Sequence, residues 1–255
     1  MLSKNELERY DRQMLLGEIG QHGQEQLKQA KVLITGAGGL GSPSAIYLAS
    51  ATIGTLKIVD NDRVALSNLN RQILHGDDDI NRFKVDSAKD RLTRLNSYIT
   101  VETVNETITS ENAAAIAAGC DVIVDALDNI ETRFMVNRAA VTHRIPFIHG
   151  AVNGFEGRVL TIVPGKSACL RCMHRGPAPA SAKFSVIGVT PGVIGAIVFV
   201  DADLVGLDGD LADTADGVAG VDAEIGQDLV ELHTVGCLPL LRVLAARLIE
   251  LGARR

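Results

Sequence analysis

The stretch KVLITGAGGLGSPSAIYLAS, Lys31 to Ser50, constrains the fold more than any other part of the chain. A short apolar run enters a G-x-G-x-x-G pattern at Gly36, Gly38 and Gly41. A helical pattern begins at once, with Pro43 tolerable in its first turn. A strand that turns straight into a helix comes back over the sheet to a parallel neighbour. The following sequence repeats that alternation. LKIVD, ITVETVN, DVIVDA and PFIHGAV read as buried strands. KVDSAKDRLTRLN, SENAAAIAAG and ETRFMVNRAAVTHR read as the helices between them, the first with Val85, Ala88, Leu92 and Leu95 on one face. GSPSAIYLASATIG is expected to end its helix at Gly54. EGRVLTIVPG follows PFIHGAV without a helix and is expected as an antiparallel neighbour. The expected fold class is α/β, a mostly parallel sheet with helices on both faces.

Ahead of this core, Ser3 to Ala30 reads as helical. Ser3 and Glu6 fit a capping box, and Gly17, Gly20 and Gly23 are expected to break the segment before a second short helix. A chain of 255 residues, 46% hydrophobic and 22% charged, suits one such domain with a sizeable core. Its net charge of −6 argues against nucleic acid as the main ligand. The apolar stretch Val186 to Val200 is too short to span a membrane and is interrupted by glycines and a proline. The polar start MLSKNELERYDRQ is not a secretory signal, and four cysteines do not make a disulfide framework. A soluble cytoplasmic protein, with neither nucleic acid nor membrane as partner, is expected.

The glycine turn marks a nucleotide site, because glycines let the backbone approach phosphates and the helix start favours anions. The bland alternative is a tight turn with no ligand. Asp60 closes the second strand about twenty residues on, where an acid accepts from ribose hydroxyls. This much fits a nicotinamide cofactor or ATP equally. SNLNRQ, with Asn68 and Arg71, and then Lys84 tilt the choice. Hydride transfer needs no further phosphate-directed cations, whereas breaking the α–β bond of ATP does. Each cation taken alone is more often a solvated surface charge. Asp128 in LDNIETRF stands where an acid could hold a metal ion or could cap the next helix, and Asp125 reads as strand-end structure.

The combination RYDRQ, GAGGLGS, VDNDRVALSNLNRQ, KVDSAKDRLTRLN and VDALDNIETRFMVN closely resembles the MoeB/ThiF/HesA family, relatives of ubiquitin-activating enzymes. HGAVNGFEGRV, CLRC and VTPGVIGA extend the match, roughly from Leu7 to Leu207. The resemblance implies a Rossmann-like domain in a homodimer that binds ATP with Mg2+. It implies adenylation of the C-terminal glycine carboxylate of a small ubiquitin-like sulfur-carrier protein ending in Gly-Gly, with release of pyrophosphate. It also assigns roles. Gly36, Gly38, Gly39 and Gly41 approach the nucleotide and Asp60 takes the ribose. Ser67, Asn68, Arg71 and Lys84 address the phosphates. Asp128 binds magnesium beside Asn129, and Arg12 reaches the other subunit's ATP. Without the resemblance Arg12 would be read as an exposed helix charge. Residues 1–207 would form the adenylation domain, with N-terminal helices over 1–30. Residues 208–255 would be an acidic segment and closing helix of the same domain. An NAD-dependent oxidoreductase and a non-catalytic scaffold are the competing readings.

The pattern breaks in two places. Cys169 and Cys172 form C-x-x-C, one half of the family's four-cysteine zinc site, and the second C-x-x-C is absent. His233 and Cys237 could complete a Zn2+ site, or the lone pair could be redox-active, or Cys237 could simply pack. Cys120 reads as core packing. PASAKFSVIGVTPG, where some relatives carry a thiol, has no cysteine, which implies adenylation without a protein thioester there. Asp201 to Glu231 holds ten acids, more than the whole net charge, and no Lys or Arg occurs between Phe184 and Leu241. That acidic stretch reads as a solvated loop or as a surface for a basic partner.

Overall fold

A computed structural model describes residues 1–17, 19–174, 186–200 and 220–224, without side-chain detail over 197–200 and 220–224. The chain opens with three short helices, α1 (Lys4–Arg9), α2 (Asp11–Met14) and α3 (Gly20–Leu27). Strand and helix then alternate: β1 (Lys31–Thr35), α4 (Gly41–Ser50), β2 (Thr55–Val59), α5 (Lys84–Leu95), β3 (Thr100–Val104), α6 (Ala113–Ala117), β4 (Val122–Asp125), α7 (Ile130–His143) and β5 (Phe147–Asn153). An antiparallel strand β6 (Glu156–Ile162), the short α8 (Leu170–Met173), α9 (Val189–Val200) and β7 (Gly220–Glu224) complete the described elements.

The sheet order is β3-β2-β1-β4-β5-β6-β7. β3, β2, β1, β4 and β5 run parallel, and β6 and β7 pair antiparallel at one edge. Side chains alternate across the pleat, so each strand feeds two cores. Val32, Ile34, Leu56, Ile58, Val122 and Val124 pack under α3, α4, α5 and α9 through Leu27, Leu48, Leu92 and Ile194. Leu33, Val59, Ile123 and Phe147 pack under α6, α7 and α8 through Ile116, Val136, Ala140 and Leu170. Cys120 lies in this second core, as expected, and burial pushes its thiol up. No helix among the described residues is long and apolar enough to cross a membrane.

Four expectations change. Gly23 does not break a helix but lies buried inside α3; Gly17 stands in the turn between α2 and α3, and Gly20, with φ +52, opens α3. α4 ends before Gly54, because Thr52 takes the left-handed conformation at φ 69 and stops it. Leu95, at the last turn of α5, is exposed, while Val85, Ala88 and Leu92 face the core as read. Part of the acidic stretch is not loop: Gly220–Glu224 pairs along β6, whose outer backbone groups would otherwise stand open.

The N-terminal helices are fastened to the far ends of α4 and α5. Ser3 and Glu6 form the capping box, and Lys28 holds the buried Glu6 carboxylate. Burial works against ionising that carboxyl, but hydrogen bonds from Lys28 and Ser3 outweigh it and bring Glu6 to about 2. Tyr10 is buried and shares hydrogen bonds with Asn96, whose Nδ2 also donates to Ala49 O. Arg9 donates to Leu95 O and Gln13 to Ala51 O.

Candidate nucleotide site

The sheet order reverses direction between β1 and β4, and ligands of such sheets bind in the crevice at that switch, off the carboxyl ends of the strands. The glycine turn leaves β1 there, and the loop of Leu127 and Asp128 leaves β4 beside it. Gly36 has φ +98, and a side chain on it would meet Ala126 O at 2.8 Å; one on Gly41 would collide with Gly36 O. Both positions therefore demand glycine. A side chain on Gly39 would meet Pro191 and the Arg71 stem, and one on Gly38 would meet the Gln72 amide. Gly195 lets α9 close onto α4, where Ser44 Oγ donates to Gly195 O at 2.8 Å, and this holds Pro191 over the turn.

Around the turn the polar residues join hands. Ala37 N donates to Asp60 Oδ2 at 2.8 Å, and Asp62 N donates to Asp60 Oδ1 at 2.8 Å. Lys84, 5% exposed at the start of α5, donates its Nζ to Asp62 Oδ2 at 2.7 Å. Arg71 is half-buried and donates to Ser67 O and Asn70 Oδ1, both at 2.9 Å. Asn68 Oδ1 accepts from Ala65 N at 3.2 Å, which shapes the turn that delivers Arg71. Ser42 Oγ and Gln72 Oε1 are buried at the turn without a hydrogen-bond partner among the described residues. Buried polar atoms seldom stay unpaired unless a ligand or water serves them.

Asp128 is exposed and makes no hydrogen bond or ion pair among the described residues. The capping role that sequence left open to it belongs to Asn129, whose side chain accepts from Thr132 N at 2.8 Å. Asp125 is indeed strand-end structure, fully buried and bonded to His149 and Leu127.

Four residues escaped the sequence reading. His75 lies buried beneath the turn, its Nε2 donating to Ala37 O at 2.9 Å and its Nδ1 facing Ser87 Oγ at 2.8 Å. Burial, with Lys84 nearby, holds His75 below the ordinary histidine range. Asp62, Arg133 and His149 are the others. The sole signals were a histidine just after NRQ and charges within motifs already ascribed to neighbours.

Two candidates stand apart. Arg12 is exposed on α2 and unpaired among the described residues, and its neighbour Gln13 is tied to the far end of α4. Cys169 and Cys172 lie beyond β6 with their sulfurs 3.4 Å apart. Burial raises the Cys169 thiol, but hydrogen bonds from Cys172, the Arg171 backbone and Asn137 outweigh it and lower it. His233, Cys237 and most of the acidic stretch lie outside the described residues. Among the described residues no cluster of three or more His, Cys, Asp or Glu forms a metal cage.

Comparison with known proteins gives the same picture. The profile of the ThiF family matches residues 10–207. The chain is 45% identical over 202 residues to the adenylyltransferase and sulfurtransferase MOCS3 of Culex quinquefasciatus, covering 77% of this chain and 46% of that protein. It is 40% identical to the SAMP-activating enzyme E1 of Haloferax volcanii, covering 79% and 76%, and 41% identical to the sulfur carrier protein adenylyltransferase of Thermus thermophilus, covering 78% of each. It spans about half the length of the MOCS3 relatives. Among solved structures, E. coli MccB with ATP superposes with a TM-score of 0.67 at 26% identity, over 74% of this chain and 61% of that one.

Proposed function

The chain belongs to the ThiF family, and from that premise we propose that it adenylates the C-terminal carboxylate of a small ubiquitin-like sulfur-carrier protein, using ATP, as a step in sulfur transfer. The observation that carries this reading is the convergence of the glycine turn, Asp60, Arg71, Lys84 and a free Asp128 on one crevice. A relative named for activating a sulfur carrier and a structural neighbour solved with ATP support it. A nicotinamide cofactor would leave Arg71, Lys84 and Asp128 without work.

The chemistry needs little from the protein beyond position and charge. A carrier carboxylate oxygen attacks the α-phosphorus, the new O–P bond forms, and the bond to pyrophosphate breaks. The carboxylate is already a nucleophile, so no general base is needed. Lys84 and Arg71 offset charge gathering on the phosphate oxygens, and the turn amides and the Ser42 hydroxyl hold the chain of phosphates. Asp60 takes the ribose hydroxyls. Magnesium fits a lone unpaired carboxylate that shares the ion with substrate phosphates, so Asp128 would hold it, and the ion would add charge neutralisation there. Zinc would be structural, held by Cys169 and Cys172 as two of four ligands, with His233 and Cys237 the remaining candidates. A cytoplasmic location belongs to this reading, since four cysteines in 255 residues make no disulfide framework. Residues 1–207 form the adenylation domain in this reading, and the pairing of β7 with β6 favours including 208–255 in it.

The working unit in this reading is a homodimer. Leu15, Leu16, Leu66, Ile73, Ile187 and Val189 are exposed, which is apolar surface that a second copy would cover. Arg12 adjoins Gln13, which is tied to Ala51 O, and the ten residues of α4 set that tie about 15 Å from the glycine turn. Its own phosphates are then out of reach, and a neighbour's are the remaining target.

The test is ATP–pyrophosphate exchange with candidate carriers ending in Gly-Gly. Exchange should require carrier, ATP and magnesium. Arg71→Ala should lower it by about 10²–10³-fold with the fold intact by circular dichroism. Tight NAD binding by calorimetry, with no ATP binding, would overturn the reading.

A further inference from the structure

A buried polar cluster lies directly behind the loop that carries Asp128, and the proposed chemistry does not touch it. Asp125 is 0% exposed, His149 6% and Arg133 9%. His149 Nδ1 donates to Asp125 Oδ2 at 2.7 Å, and Arg133 Nε lies 3.7 Å from the same oxygen. The other Asp125 oxygen accepts from Leu127 N at 3.1 Å. Arg133 Nε donates to Leu127 O at 3.1 Å, and one guanidinium nitrogen bridges Leu127 O and Gly150 O, the latter at 2.9 Å. The Leu127 peptide is therefore gripped at its N–H by Asp125 and at its C=O by Arg133. On the other side, Asn129 is pinned as the cap of α7. Asp128 stands between two clamps, and its side chain is the part left free.

Three buried charged or polar groups are costly to assemble, and pairing of this quality is needed merely to offset their desolvation. A strand end could be closed with less. We infer that Arg133, Asp125 and His149 are positioning residues. They fix the direction in which Asp128 presents its carboxylate, and thereby set the affinity of the crevice for a divalent cation rather than for the nucleotide. The inference rests on the reading of Asp128 as the metal carboxylate.

The experiment titrates Mn2+ by electron paramagnetic resonance in the presence of α,β-methylene-ATP, with analogue affinity measured separately by calorimetry without metal. Arg133→Lys keeps a positive charge beside Asp125 but cannot span Leu127 O and Gly150 O. It should weaken Mn2+ by about 10–100-fold, the usual cost of losing support behind a metal ligand, and leave metal-free analogue binding unchanged. A purely structural role would lower the melting temperature and leave Mn2+ affinity of the folded protein where it was. Asp128→Asn should weaken Mn2+ as well, and adding Arg133→Lys to it should change nothing more. Wild-type Mn2+ affinity in Arg133→Lys, or an equal loss with and without Asp128, overturns the positioning role alone. Wild-type Mn2+ affinity in Asp128→Asn overturns the metal reading, and the inference with it. If Arg133→Lys does not fold, His149→Leu, which removes the donor to Asp125, carries the same comparison with the same expected sign.

Discussion

Asp128 and Asn129 stand side by side ahead of α7, and the sequence left the capping role open to the aspartate. Asn129 closes the start of α7, and Asp128 beside it makes no hydrogen bond or ion pair among the described residues. Asp60, Arg71 and Lys84 could be found because each sits in a local motif, at a spacing fixed by a single strand or turn. His75 could not, because its partners Ala37 and Ser87 come from β1's turn and from α5, and only the packed fold brings them together. The same is true of Arg133 and His149, which meet Asp125 across neighbouring strands and α7. His75 gives a pH prediction. Burial holds its folded-state value below the ordinary histidine range, so below about pH 6.5 the unfolded chain takes up a proton that the folded one refuses. Stability from this residue is full above that pH and is lost as pH falls towards the lowered value. Lys84 pushes it down, and Asp79 and Asp60 pull it up. Urea unfolding from pH 7.5 to 5.0 should show a decline that His75→Gln lacks, and parallel curves for the two proteins would remove His75 as the cause.

At the scale of elements, the alternation of strands and helices was legible throughout the core, because a parallel sheet covered on both faces writes its strands as continuous apolar runs. Boundaries were not. The stop of α4 at Thr52 needs a left-handed residue without a glycine, and β7 needs an open edge on β6 that no local pattern announces. The β1–α4 turn is the element with the least tolerance. A methyl group on Gly41 would enter the space of Gly36 O, a backbone atom that cannot swing aside. Gly41→Ala should therefore cost about 1–3 kcal/mol, the usual range for forced overpacking, and should weaken ATP by moving the turn amides. Chemical denaturation and calorimetry measure the two effects. Gly76→Ala, with nothing within 4 Å of the added methyl, is the control expected to leave both unchanged.

At the scale of the molecule, the RYDRQ segment spends three of its side chains on anchorage. Arg9, Tyr10 and Gln13 bind the ends of α5 and α4, and Arg12 is left facing out. Sequence marked Arg12 only by resemblance, since an exposed arginine on a short helix has no signature of its own. If it serves a partner's ATP, two inactive variants should rescue each other. Arg12→Ala mixed with Lys84→Ala yields mixed dimers holding one site with both wild-type groups. Activity should return to about a quarter of wild type when subunits exchange freely. No recovery, with exchange verified by native mass spectrometry, would assign Arg12 to its own subunit or to no role. The anchorage of Tyr10 has a consequence for kinetics. If Arg12 serves a partner's ATP, the second copy becomes a participant in the rate law. Below the dissociation constant of the dimer, the total rate would climb with the square of protein concentration, and dilution would silence chains that remain folded and loaded.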